Sequence, residues 1–155
     1  MGDYIDFDPM CVALDLIAGI AEGVGAPCEA MLRASNLLDL LMHCLGYEHT
    51  DVQQSAFGVL GEVGKACPGY IVGALGKICP IALAAMERTS DRAGFAGGYT
   101  AEGEDAWGGS DDEGEDDMGD DVTNVCNNAI WSIGEISVKC GPQAMAPFVG
   151  PLVLK

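Results

Sequence analysis

Few residues in this chain are spaced for covalent chemistry. Ser35, Ser55 and Ser132 lack the Gly-x-Ser-x-Gly frame that presents a nucleophile on a sharp turn. His43, Cys44 and His49 are close together but do not have a zinc-ligand spacing, and read as a core cysteine and loop histidines. Gly58, Gly61 and Gly64 do not make a Gly-x-Gly-x-x-Gly phosphate loop; their spacing suits close helix packing. The acids from Asp111 to Asp121 lack the final glutamate of an EF-hand loop. No enzyme activity, cofactor or metal is expected. What remains are residues of recognition chemistry. Trp131 is flanked by Asn127, Asn128 and Glu135, and Glu22 and Glu62 stand at matching places earlier in the chain.

Those places match because the chain repeats itself. VALDLIAGIAEG from Val12, VQQSAFGVLGEV from Val52 and VCNNAIWSIGEI from Val125 align without gaps. Ile20, Leu60 and Ile133 coincide, as do Glu22, Glu62 and Glu135. The first offset is 40 residues. The second is 73, or one period plus an insert of about 33. A period near 40 is that of a HEAT or armadillo unit, a pair of helices. The expected fold is all-α: a HEAT-repeat superhelix, or solenoid, of about three repeats.

Punctuation and spacing place the helices at about 9–24, 27–45, 50–67 and 68–88, in a unit covering 9–88. Asp8-Pro9 and Thr50-Asp51 read as starts, and Gly23, Gly25, Gly46 and Cys67-Pro68 as stops. Pro80 is expected to kink the fourth helix. A last repeat, 122–155, opens after Asp121, breaks at Gly141-Pro142 and is truncated at its C-terminus. Val52, Ala56, Leu60, Val63 and Cys67 make one apolar stripe at helical steps.

Between these units, residues 89–121 read as an acidic loop rich in Gly, Asp and Glu, without apolar periodicity and therefore disordered. Residues 91–121 carry 12 of the 24 acidic residues and one basic residue, for a charge of −11; the remainder carries −6. A net charge of −17 argues against nucleic acid and anionic membrane as partners and for basic ones. Seven cysteines with no Cys-x-x-Cys read as buried reduced thiols. No signal peptide is recognisable, and the apolar run from Ile71 to Met86 is interrupted by Lys77 and Pro80, so a soluble chain is expected.

At 100° per residue, Trp131 lies roughly 150° from the centre of its helix's apolar stripe, as do its copies Gly58 and Ala18. It therefore points away from its own repeat's core. Two roles fit an outward tryptophan: a hot spot for a bound peptide, or packing on the helix of the neighbouring repeat. Asn127 and Asn128 fit either hydrogen bonding to an extended peptide or a solvated, turn-bonding role. Glu22, Glu62 and Glu135, one per repeat, form either an acid ladder that a basic ligand would relieve or a solvated face.

VALDLIAGIAEGVG, QSAFGVLGEVGKAC and above all CNNAIWSIGEI resemble consecutive HEAT repeats of the transportin branch of the karyopherin-β (importin-β) family, from the C-terminal half of those receptors. The resemblance covers nearly everything outside the acidic insert. It implies part of a nuclear import receptor, found in cytoplasm and nucleus, that binds the nuclear localisation signals of cargo proteins. Those signals are basic, extended and end in Pro-Tyr. The resemblance also implies a cargo-contacting role for Trp131, with Glu22, Glu62, Glu135, Asn127 and Asn128 beside it. Ran-GTP and nucleoporins are partners of the full-length family, with Ran held mainly by N-terminal repeats that have no counterpart here. Two departures stand out. Gln53 and Cys126 occupy a position where HEAT units often carry Arg, and the family's own long acidic loop lies in an earlier repeat. Outside the family, a HEAT scaffold without transport function, or an acidic-loop chaperone for basic proteins, would fit the same composition.

Overall fold

A stripe of apolar residues three and four apart can leave water only by lying on a neighbouring element. The computed structural model, which describes residues 6–93 and 117–153, is built by repeating that step. Helix α1 spans Asp8–Val24, and a 3₁₀ turn at Ala26–Cys28 leads into α2 (Glu29–Ala34) and α3 (Leu37–Leu45). Helix α4 spans Thr50–Ala66. After α5 (Pro68–Ile71) and a second 3₁₀ turn (Val72–Ala74) comes α6 (Leu75–Ala93), and α7 covers Asp117–Val153. No strand occurs among the described residues. Helices α1, α4 and α7 lie side by side with α4 in the middle; α3 packs on α4, and α6 packs on α7 and reaches α3. Two layers of helices stacked in chain order make this an all-α, HEAT-like solenoid.

The repeat register explains most of the core. Val52, Ala56 and Leu60 of α4 are fully buried, and their copies Val125, Ala129 and Ile133 of α7 are nearly so. The copies in α1 are not: Val12 is 68% exposed and Leu16 64%. In α4 and α7 an earlier helix covers the stripe, whereas no described helix covers it in α1. Ile17, Ile20, Met31, Leu32 and Leu40 line an apolar groove of about 480 Å³ on the same side.

Several boundaries differ from expectation. Residues 27–45 do not form one helix. Ser35 is extended (φ −101°, ψ 164°), its hydroxyl donates to the Leu32 carbonyl at 2.8 Å, and the Leu37 N–H turns to the same hydroxyl at 3.4 Å. A side chain that satisfies local backbone groups in this way competes with the helix. Residues 68–88 are likewise divided, by the 3₁₀ turn centred on Gly73, and Pro80 lies inside α6. Helix α6 continues to Ala93, since the first strong breaker after it is Gly94. Helix α7 begins at Asp117 instead of after Asp121. Phe7 and His49, rather than Asp8 and Thr50, are the N-caps, and neither makes a side-chain cap. Gly25 (φ 68°) ends α1, and Gly141 (φ 81°) breaks α7 ahead of Pro142. Both φ values lie where only glycine sits without strain. Of the segment expected to be disordered, residues 94–116 lie outside the described residues.

By length and composition alone, Pro68–Arg88 is apolar enough to cross a bilayer. Its apolar residues Ile71, Leu75, Ile78 and Ala82 are buried in the protein core, and 39% of the stretch is buried in all.

Candidate functional site: the outer face of the α4 and α7 helices

Trp131 emerges from α7 as the helical wheel predicts and is 39% exposed. Its ring does not hang free. Cζ3 lies over Gly61 of α4, so closely that a Cβ at that position would strike the ring. The packing role weighed from the sequence is thus present, since part of the ring rests on the neighbouring repeat, and the rest faces solvent. Seating it requires no side chain at residue 61, which gives one of the α4 glycines its structural reason. One turn further along, Gly64 accepts the Ile136 side chain of α7 in the same fashion.

Glu135 is one turn beyond Trp131 and half-buried, while Glu22 on α1 is exposed. Glu62 is also half-buried, with 14% of its side chain exposed, and it is not free. Lys65 Nζ approaches Glu62 Oε2 at 2.9 Å and donates to Oε1 at 3.1 Å. Oε2 is buried and lies off the axis of a proper hydrogen bond. The bond from Glu62 raises the Lys65 pKa above its ordinary value, and the charges of Glu62, Glu135 and Glu22 add to the rise. The acid ladder therefore converges on a resident cation that spacing alone did not single out. The signal was present, as a lysine three residues after Glu62. Its coupling to Glu22 and Glu135 depends on helices 40 and 73 residues apart in register being stacked.

Asn127 is exposed. Asn128 is half-buried and turns back on its own helix, donating from Nδ2 to the Asn124 carbonyl at 3.1 Å. Of the pair, Asn127 is the one open to a ligand. Gln53, in the position expected to hold Arg, is buried. It donates from Nε2 to the carbonyls of Tyr47 and Leu45 and accepts from Arg88 Nη2 at 3.4 Å, tying the α3–α4 loop to α6. His43 and His49 belong to an aromatic group with Phe7 and Tyr47; the His49 ring lies 4.4 Å from that of Phe7. No group of three or more metal-ligating side chains occurs among the described residues.

The face formed by Trp131, Asn127, Glu135, the Glu62–Lys65 pair and Glu22 can stack an apolar or planar group on the indole and attract cations along one edge. No family model matches the chain. Among curated proteins, Transportin-1 of Homo sapiens and of Mus musculus are each 32% identical to it over 149 residues, 96% of this chain. The chain is a transportin relative. Transportin-1 of Oryza sativa subsp. japonica agrees, at 28% identity over 153 residues, 99% of the chain. The chain spans 13% of the length of the human and mouse transportins and 14% of the rice one.

Proposed function

We propose that this chain is part of a transportin-type nuclear import receptor and that the α1–α4–α7 layer binds nuclear localisation signals of cargo proteins. The observation that carries this is the half-exposed Trp131, braced on Gly61 of α4, with Glu135 one turn along α7 and the Glu62–Lys65 pair on α4 coupled electrostatically to Glu135 and Glu22. An extended basic peptide would run across the helices, with an apolar or aromatic side chain on the indole and basic residues toward Glu135, Glu62 and Glu22. Asn127 is placed to hydrogen-bond the peptide backbone. An exposed tryptophan with a rigid support supplies contact area at little entropic cost, as binding hot spots do. The carboxylates contribute steering and selectivity for cations more than affinity. Localisation to cytoplasm and nucleus, and Ran-GTP and nucleoporins as partners of the whole receptor, follow from the family likeness.

The test is fluorescence anisotropy with a labelled basic peptide ending in Pro-Tyr, at low and physiological salt. Trp131→Ala should weaken binding by about thirtyfold, the usual cost of losing a hot-spot aromatic (about 2 kcal/mol). Added salt should weaken binding further through the carboxylates. The −11 charge of residues 91–121 favours one rival, in which the acidic segment itself binds basic proteins. Deleting residues 91–121 separates the two. Binding lost with the segment but retained in Trp131→Ala would replace the receptor reading with the chaperone one.

A further inference from the structure

Cys28 lies in the 3₁₀ turn after α1, and Cys67 is the residue that ends α4. They are 39 residues apart, close to one repeat, so stacking α1 on α4 brings the turn after one helix against the turn after the other. The two Sγ atoms are 3.5 Å apart and both side chains are buried. Cys67 Sγ also faces the Gly25 and Ala26 carbonyls at 3.9 Å, which aims it at the α1 turn. Elsewhere, Cys44 Sγ faces Met10 Sδ at 3.9 Å, and Cys140 Sγ faces the Pro68 carbonyl at 3.8 Å. All seven cysteines are free thiols.

We propose that Cys28 and Cys67 form a reversible oxidation site, closed by peroxide into a disulfide that staples two consecutive repeats. The Cys28 thiolate attacks one peroxide oxygen, the O–O bond breaks, and Cys28 becomes a sulfenic acid while hydroxide takes up a proton as water. The Cys67 sulfur then attacks the Cys28 sulfur; the S–O bond breaks, and the departing hydroxide leaves as water with the Cys67 proton. Two thiols are oxidised and one peroxide is reduced to two waters. Cys28 is placed first because Cys67 is fully buried and burial raises its thiol pKa. A disulfide is about 2.05 Å long, so the sulfurs must close by about 1.5 Å, a distance shared between two side chains. Burial of Cys67 pushes its thiol up to about 11, assisted by Cys28, which slows any reaction that needs the Cys67 thiolate. The bond would fix the angle between α1 and α4, and in a solenoid the rotation from repeat to repeat sets the curvature.

The experiment is peroxide treatment of the folded full chain, followed by alkylation of remaining thiols, proteolysis and mass spectrometry. A linked peptide pair containing Cys28 and Cys67, lighter by two hydrogens and separated by dithiothreitol, is the expected first product. Oxidised protein should melt at a higher temperature than reduced protein. Cys28→Ser and Cys67→Ser should each remove the link and the shift in melting temperature. Full alkylation of both residues while other thiols oxidise would overturn the proposal. So would a Cys28–Cys67 link that forms only in denaturant.

Discussion

Gly61 and Gly64 lie one turn apart on α4, and each leaves room for a side chain of α7, yet one added carbon should act differently at the two sites. At residue 61 the Cβ meets the Trp131 ring, which is half-exposed and can swing outward. Helix propensity then favours alanine over glycine by about 0.5–1 kcal/mol. Gly61→Ala should leave the melting temperature nearly unchanged and weaken basic-peptide binding toward the level of Trp131→Ala. At residue 64 the Cβ meets Cγ1 of Ile136, a fully buried side chain with no open side to move into. Gly64→Ala should cost about 1–3 kcal/mol in urea denaturation, as overpacking does. Lys65 offers a third test at this scale. Lys65→Met removes the cation that partly neutralises the three carboxylates. Basic-peptide affinity should rise by about threefold, the worth of one screened ion pair, with a steeper loss on adding salt. Unchanged affinity in Lys65→Met, with wild-type binding intact, would mean that peptides do not use this edge of the face.

The helices themselves were legible to different depths. The register of Val52, Ala56 and Leu60 with Val125, Ala129 and Ile133 could be read from sequence, because core positions repeat whenever units stack on the same faces. The outward direction of Trp131 was legible from helical periodicity alone. Its seat on Gly61 was not, since that contact depends on how far one helix slides along another. The break at Ser35 escaped because a hydroxyl can bond locally or point to solvent with no difference in spacing, and only the folded geometry shows which it does. The helix ends also hold groups that report on burial. Cys67 closes α4 and Cys79 lies in α6, and burial pushes both thiols from an ordinary value of 9.0 up to about 11. The folded chain thus keeps protons that the unfolded chain begins to release near pH 9. Stability should be undiminished below pH 9 and fall as pH rises toward 11. Urea midpoints measured across that range check this. The slope should flatten in Cys79→Ala, and a wild-type midpoint that stays level to pH 11 would contradict the assigned burial.

Over the whole molecule, three copies of one stripe experience different surroundings, and that makes a clean comparison. Val12 and Val52 are the same residue in the same register, one 68% exposed and the other fully buried. Val12→Ala should change stability by no more than about 0.5 kcal/mol, while Val52→Ala should cost about 2 kcal/mol through lost burial and the cavity left behind. Thermal melts of the two variants measure the difference directly. Equal losses would mean that the outer side of α1 is covered in solution. The same feature bears on the chain's lifetime. Chaperones and proteases recognise rows of exposed valine and leucine as incomplete folding, and cellular abundance follows that triage. The side of α1 where Val12 and Leu16 face water is the part of the described fold that such triage would meet first.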